Sequence, residues 1–186
     1  MDNPQSKTST IVISALAVIA CAGFVMRFGF SVETLQYMVL VALLAWASFE
    51  DLRSRTIPNL CIAAAIGVRV ACFVAFAALG RFSASECVYY IVSGIAMGVM
   101  LVAFALAFER VTGRESMGGG DIKLYALAGL YLGFEKALLV VFLSCVFALV
   151  ASAITACGSH GERGLSRQLP FGPAIAVAFV ISVIAM

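Results

Sequence analysis

Charge is what this sequence has least of. Only 12% of its 186 residues are Asp, Glu, Lys or Arg, against roughly 25% in an ordinary soluble domain. With 63% of the chain hydrophobic, too little polar surface remains to clothe a soluble globule, and the same balance excludes a disordered chain. Basic runs are absent as well. The net charge is +2 with no cluster of Lys or Arg, so no nucleic-acid partner is expected. Paired cysteines are missing: Cys21, Cys61, Cys72, Cys87, Cys145 and Cys157 include no C-x-x-C and lie in or at the ends of apolar stretches. They read as small packing residues in helices. Histidine occurs once, at His160, which gives a metal site or a Ser–His or Cys–His catalytic pair little to build on. No metal and no cofactor are expected.

What is there is a series of apolar blocks at about 11–27, 34–50, 58–79, 87–108, 122–134, 137–157 and 170–186. Most approach the roughly 20 residues that cross a hydrocarbon core. Backbone polar groups in lipid must be satisfied internally, and no alternation of period two points to a barrel, so the blocks are helices. The expected fold is an all-α, polytopic helix bundle in a lipid bilayer. Gly94 with Gly98, and Gly129 with Gly133, are small-residue pairs that permit close helix packing.

Seven alternating spans place Lys7, Arg53, Arg55, Arg110, Arg114, Lys123, Arg163 and Arg167 on one side, and Arg27, Arg81 and Lys136 on the other. The bias predicts a cytoplasmic N-terminus and an external C-terminus. Arg69 falls within the third span. A cation there should face the bundle interior, where a structural partner is the expectation. Val18-Ile19-Ala20-Cys21 is similar to a lipoprotein processing site, but apolar residues continue past it, so an uncleaved first helix is expected.

The fifth span is short. From Asp121 to Phe134 it reaches about 21 Å at ~1.5 Å per residue, against about 30 Å of hydrocarbon. With Glu135-Lys136 anchoring the outer end, Asp121 is expected in a water-reached recess below the cytoplasmic surface. Gly118-Gly119-Gly120 is then expected as irregular backbone at that depth, tolerated where it lines a cavity.

Aspartate is rare: Asp2 in the tail, then Asp51 and Asp121. Asp51 ends the second span within Glu50-Asp51-Leu52-Arg53-Ser54-Arg55-Thr56-Ile57-Pro58-Asn59. If the helix continues, Arg55 lies one turn on and can pair with it. Pro58 suits the first turn of the next helix. Asp121, after three glycines, suits a helix N-cap. Taken singly, each is explained as an interfacial acid or a cap. Taken together, they are two carboxylates on one membrane face at helix ends that can converge. Such a pair shares a proton, so that it can activate a water and protonate a leaving amine. That is the chemistry of metal-free amide hydrolysis.

Asp51 with Arg53, Ile57-Pro58-Asn59, then Gly118-x-Gly120-Asp121-x-Lys123-Leu124, then Pro170-Phe171-Gly172-Pro173 resembles, in order and spacing, the type IV prepilin leader peptidase family. The resemblance covers roughly residues 34–186. It implies a six-helix aspartic peptidase core there, preceded by a tail and one extra helix at 1–33, with Asp51 and Asp121 as the catalytic pair. It also implies cleavage of the basic leader of prepilin-like precursors at the cytoplasmic face of a prokaryotic inner membrane. Longer relatives carry paired cysteines in a methyltransferase domain; with no C-x-x-C here, the chain resembles the peptidase-only branch found with Flp/Tad-type pili.

Around the pair, Gly118, Gly120, Lys123, Arg53, Asn59, Pro170 and Gly172 are candidates for support or substrate binding. Lys123 can either bring positive charge to the acids or extend to the interface. Pro170 to Pro173 can be a helix-start turn or a wall beside the substrate. The rival readings are a non-enzymatic scaffold or small transporter, an inactive relative, and a presenilin-type or signal-peptide-peptidase-type protease. The last lacks support because its Pro-Ala-Leu element is absent.

Overall fold

The computed structural model describes residues 4–113, 117–158 and 171–185. Seven helices occupy the seven apolar blocks: α1 Pro4–Phe28, α2 Val32–Ser54, α3 Asn59–Ala78, α4 Ala84–Thr112, α5 Gly119–Leu132, α6 Phe134–Gly158 and α7 Gly172–Ile184. Among the described residues there is no strand. Four segments, Val32–Ser54, Asn59–Ala78, Ala84–Thr112 and Phe134–Ala153, are long and apolar enough to cross a membrane. The chain is an all-α polytopic bundle.

Short polar turns set the helix ends. Ser31 caps α2 by accepting a hydrogen bond from the Thr34 amide. Ser83 and Glu86 form a reciprocal capping box that opens α4, a device worth about 1 kcal/mol. Pro58 precedes α3, where its missing N–H costs nothing. The end of α2 and the starts of α3, α5 and α7 meet at one end of the bundle, through Asp51 with Gly172, Lys123 with Asn59 and Ile57 with Gly120.

The helices meet through small residues. α4 and α5 form the most extensive contact, and glycine is the reason. A Cβ at Gly129 would lie 2.7 Å from the Ser93 carbonyl oxygen and 2.9 Å from the Gly94 Cα. In lipid, where no hydrophobic gain accompanies helix association, such close backbone approach is a main source of packing energy. Gly94 and Gly98 face Ala126 in the same seam. Gly133 has a different job from the expected one. It stands beyond α5 with φ +83° and turns the chain into α6, its open side covered by the Tyr89 ring.

α2 packs between α1, α3 and α7, while α6 covers α5 and α7. Tyr125, Tyr131, Leu40, Met97, Val140 and Phe179 fill the centre. The phenol of Tyr125 is hydrogen-bonded to Ser144 on α6, so the most buried ring leaves no orphaned oxygen. α1 contributes the fully buried Phe24 to this core. Cys21 lies within the unbroken α1, and the buried Cys61 donates to the Leu43 carbonyl. Outward, Val74, Val99, Phe104 and Phe142 are exposed apolar side chains, as a lipid-facing surface requires.

Candidate active site

The two aspartates reach the same end of the bundle from different helices. Asp51 lies in the last turn of α2 and is buried. The first amide of α7, from Gly172, donates to its Oδ2 at 2.8 Å. This contact needs a glycine: a Cβ at position 172 would stand 2.9 Å from Oδ2 and 3.0 Å from the Asp51 Cβ. The motif glycine therefore admits the carboxylate against the helix start, whose amides carry partial positive charge.

The expected pairing of Asp51 with Arg55 does not form. α2 stops at Ser54, and Arg55 adopts a left-handed conformation (φ 54°) with its amide on the Asp51 carbonyl. With the helix ended, the Arg55 side chain no longer projects one turn above Asp51, and it is exposed. Arg53 is also exposed on the last turn of α2, and among the described residues no contact joins it to either aspartate.

Asp121 is the third residue of α5 rather than its N-cap. Gly118 is the cap, with extended backbone (φ −66°, ψ 140°). Gly119 and Gly120 are already helical, so the irregular segment expected across all three glycines is confined to Gly118. The Asp121 carboxylate folds back toward this cap, and a Cβ on Gly118 would meet its Oδ2 at 3.5 Å. An acid in the first turn is favourable to the helix dipole. Gly120 is close-packed for another reason: its missing Cβ is replaced by Ile57, whose side-chain atoms would lie 3.0–3.2 Å from one. Around Gly119 a Cβ would meet nothing within 4 Å, so the first turn of α5 is open there.

Asp121 stands in the short α5, outside the four segments long enough to span. Its carboxyl is pushed up to about 6, first by burial and second by the charge of Asp51. The charge of Asp51 is thus felt at Asp121, as a smaller contribution than burial. Among the described residues no three His, Cys, Asp or Glu side chains gather as a metal site.

Two other candidates meet each other. Lys123 Nζ donates to Asn59 Oδ1 at 2.8 Å, tying the start of α5 to the start of α3 at an exposed position. Pro170, like Arg114, Arg163, Arg167 and His160, lies outside the described residues.

Arg69 has the structural partners expected of it, and they include residues the sequence did not flag. It is almost wholly buried and donates to Gln36 on α2 and to the carbonyls of Leu130 and Tyr131 on α5. The rings of Phe73, Tyr90 and Tyr131 surround the guanidinium. The signal for Gln36 was available: it is a lone amide within the apolar second span.

The type IV leader peptidase family matches residues 38–153. The prepilin leader peptidase/N-methyltransferase of Bacillus subtilis (strain 168) is 31% identical over 165 residues, covering 88% of this chain and 60% of the relative. Its counterpart in Xanthomonas campestris pv. campestris is 28% identical over 172 residues, covering 90% and 55%. That of Aeromonas hydrophila is 38% identical over 86 residues, covering 45% and 29%. The chain spans little more than half the length of the first two relatives. No solved structure matches it. The chain belongs to the type IV leader peptidase family and is a multi-pass membrane protein of that family.

Proposed function

We propose that the protein is a membrane-embedded aspartic endopeptidase that removes the basic leader of a prepilin-like precursor at the cytoplasmic face, with Asp51 and Asp121 as its catalytic pair. The observation that carries this reading is the packing of the motif segments on one another: the Gly172 N–H on Asp51 Oδ2, Ile57 against Gly120, and Lys123 on Asn59. Asp51 and Asp121 come from separate helices to this end of the bundle, and the carboxyl of Asp121 is raised first by burial and second by the charge of Asp51.

Chemistry follows from the asymmetry of the pair. Asp121, with its carboxyl pushed up to about 6, holds the shared proton. Asp51 accepts the Gly172 N–H on Oδ2 and uses Oδ1 as general base. A water between them loses a proton to Asp51 as its oxygen attacks the scissile carbonyl. Asp121 donates its proton toward the carbonyl oxygen. As the tetrahedral intermediate collapses, the proton on Asp51 passes to the leaving amine, and the hydroxyl that becomes the new carbonyl returns its proton to Asp121. The open face at Gly119 gives an extended substrate backbone room to approach.

The substrate's apolar helix lies beside the enzyme helices and its basic leader emerges among cytoplasmic loops. The excess of Lys and Arg in the sequence segments on this side of the seven spans supports a cytoplasmic site in a prokaryotic inner membrane, with the C-terminus outside. Residues 34–186 form the peptidase core and 1–33 an addition to it. The relatives' names include a second activity, methyl transfer. With no C-x-x-C in this sequence, the proposal is confined to the peptidase.

The test is cleavage of a prepilin-like precursor by the purified full chain in lipid nanodiscs, with Asp51→Asn and Asp121→Asn as controls. Loss of cleavage in both variants, with insertion and melting preserved, is expected. Normal cleavage by either variant refutes the assignment.

A further inference from the structure

Arg69 is a buried cation with no carboxylate against it among the described residues. Its hydrogen bonds go instead to the far end of the helix that carries Asp121. Nε donates to Leu130 O at 3.1 Å, and one terminal nitrogen to Tyr131 O at 3.4 Å. Both carbonyls belong to the last turn of α5, where carbonyls lack partners within the helix. The C-terminal end of a helix carries partial negative charge, which makes a cation its natural counterpart. The other terminal nitrogen donates to Gln36 Oε1 on α2 at 3.0 Å. Tyr131 returns the grip, its hydroxyl donating to Ala65 O on α3 at 2.7 Å. Ring centroids of Phe73, Tyr90 and Tyr131 lie 4.4, 4.8 and 5.1 Å from the guanidinium carbon, so the cation is caged as well as bonded.

One side chain therefore joins α2, α3 and α5. The first and last of these carry the two aspartates at their opposite ends. α5 is stiff and short, with the Tyr131 carbonyl about 15 Å along the axis from Asp121 at ~1.5 Å per residue. Fixing its last turn fixes the depth of its first.

We propose that Arg69 is a positioning residue: by capping the end of α5 while holding Gln36, it sets the axial register of α5 against α2, and so the separation of the Asp51 and Asp121 carboxylates. The proposal rests on the aspartate-pair reading above.

The experiment uses the full chain in nanodiscs, with Arg69→Met, Arg69→Lys and Gln36→Leu. Precursor cleavage gives kcat, KM and the pH profile of kcat, and hydrogen–deuterium exchange reads the amides of α5. For Arg69→Met we expect kcat to fall at least tenfold with KM changed less than threefold. Its alkaline limb should move to lower pH, because Asp121 then feels Asp51 more weakly. Arg69→Lys keeps the charge but loses the planar fork and should recover less than a third of wild-type kcat. Gln36→Leu should lower kcat about threefold. Amides in the last turn of α5 should exchange at least fivefold faster in both Arg69 variants.

A lower Tm with kcat and pH profile unchanged would overturn the proposal, because a merely structural role predicts that result. If Arg69→Met does not fold, unchanged kcat and pH profile in Arg69→Lys and Gln36→Leu overturn it equally. Absence of cleavage by the wild type sinks the aspartate-pair reading instead. Exchange in α5 then decides whether Arg69 holds that helix, and unchanged exchange in Arg69→Lys rejects it.

Discussion

The bundle buries charge at two levels, and the two are built on opposite principles. At the Arg69 level the guanidinium donates to three oxygens and is ringed by three aromatic faces. An arginine at mid-membrane costs about 2.5–3.5 kcal/mol on insertion scales. Here that cost is offset by groups that themselves needed a partner, the last carbonyls of α5 above all. At the Asp51–Asp121 level, two acids stand at one end of the bundle, and the carboxyl of Asp121 is raised first by burial and second by Asp51. The first site is satisfied and resists change. The second leaves a penalty on the charged form of Asp121 that protonation relieves, which suits acid–base chemistry near neutral pH.

The largest effect should come from removing either acid. Asp51→Asn and Asp121→Asn should each lower kcat by about 10⁴ or more, as loss of one member of a cooperating catalytic set does. They should not lower stability. Asp121→Asn at pH 7.5 removes one of two repelling charges, so its Tm should equal or exceed that of the wild type. A Tm drop as large as the one for a disrupted Arg69 would erase the contrast between the two levels.

Next in size is Gly172→Ala. The added methyl would stand 2.9 Å from Asp51 Oδ2, so the carboxylate must shift or lose the 2.8 Å bond from the Gly172 amide. A misplacement approaching 1 Å can cost about 10²-fold in rate. We expect kcat to fall by about that factor while KM changes little. Gly129→Ala adds a methyl of the same size where it would meet backbone on α4, 2.7 Å away. It should lower Tm by several degrees and leave the pH profile of the folded fraction alone. Comparing the two variants separates a glycine that serves the acids from one that serves the packing.

The pH dependence should show the same contrast. Asp121 must hold a proton to act as the acid. Its carboxyl is raised to about 6, so the proton is present below that pH and lost as pH rises through it. kcat should then fall about tenfold per pH unit well above 6, and fall again at low pH once the base is protonated. Arg69 donates at the other end of α5, away from both acids, so no limb of the profile is assigned to it. A flat rate between pH 6 and 9 would count against Asp121 as the acid.

The sequence disclosed these two levels unequally. Seven apolar blocks became seven helices because hydrophobic length and sparse charge decide helix placement in lipid. Asp51 and Asp121 stood out for their rarity, and Gly172 through its motif. Where helix ends were concerned the reading failed. It allowed Arg55 to pair with Asp51 if the helix continued and placed Asp121 at the cap, since one residue of left-handed backbone at Arg55 and two helical glycines leave no trace in hydropathy. The partners of Arg69 were hidden for a different reason. Two of its acceptors are backbone carbonyls, which every residue possesses, and only the crossing of α3 with the end of α5 selects them.

The smallest expected effect sharpens the boundary of the active site. Lys123 and Asn59 lie in motif segments on either side of the pair, yet their 2.8 Å hydrogen bond joins them to each other at an exposed position. Exposed polar pairs contribute about 0.2–1 kcal/mol, a factor of roughly 1.4 to 5. If the bond only ties α3 to α5, Lys123→Ala and Asn59→Ala should each lower kcat/KM by less than about fivefold. The double variant should then be no worse than the more affected single one, since either change already breaks the bond. If Lys123 instead supplies positive charge to the acids, Lys123→Ala should move the alkaline limb of the pH profile while Asn59→Ala leaves it in place. We expect the first pattern, because the Lys123 ammonium is engaged by Asn59 at an exposed position. Unequal pH profiles for the two single variants would draw Lys123 into the catalytic set and extend the coupled level from two side chains to three.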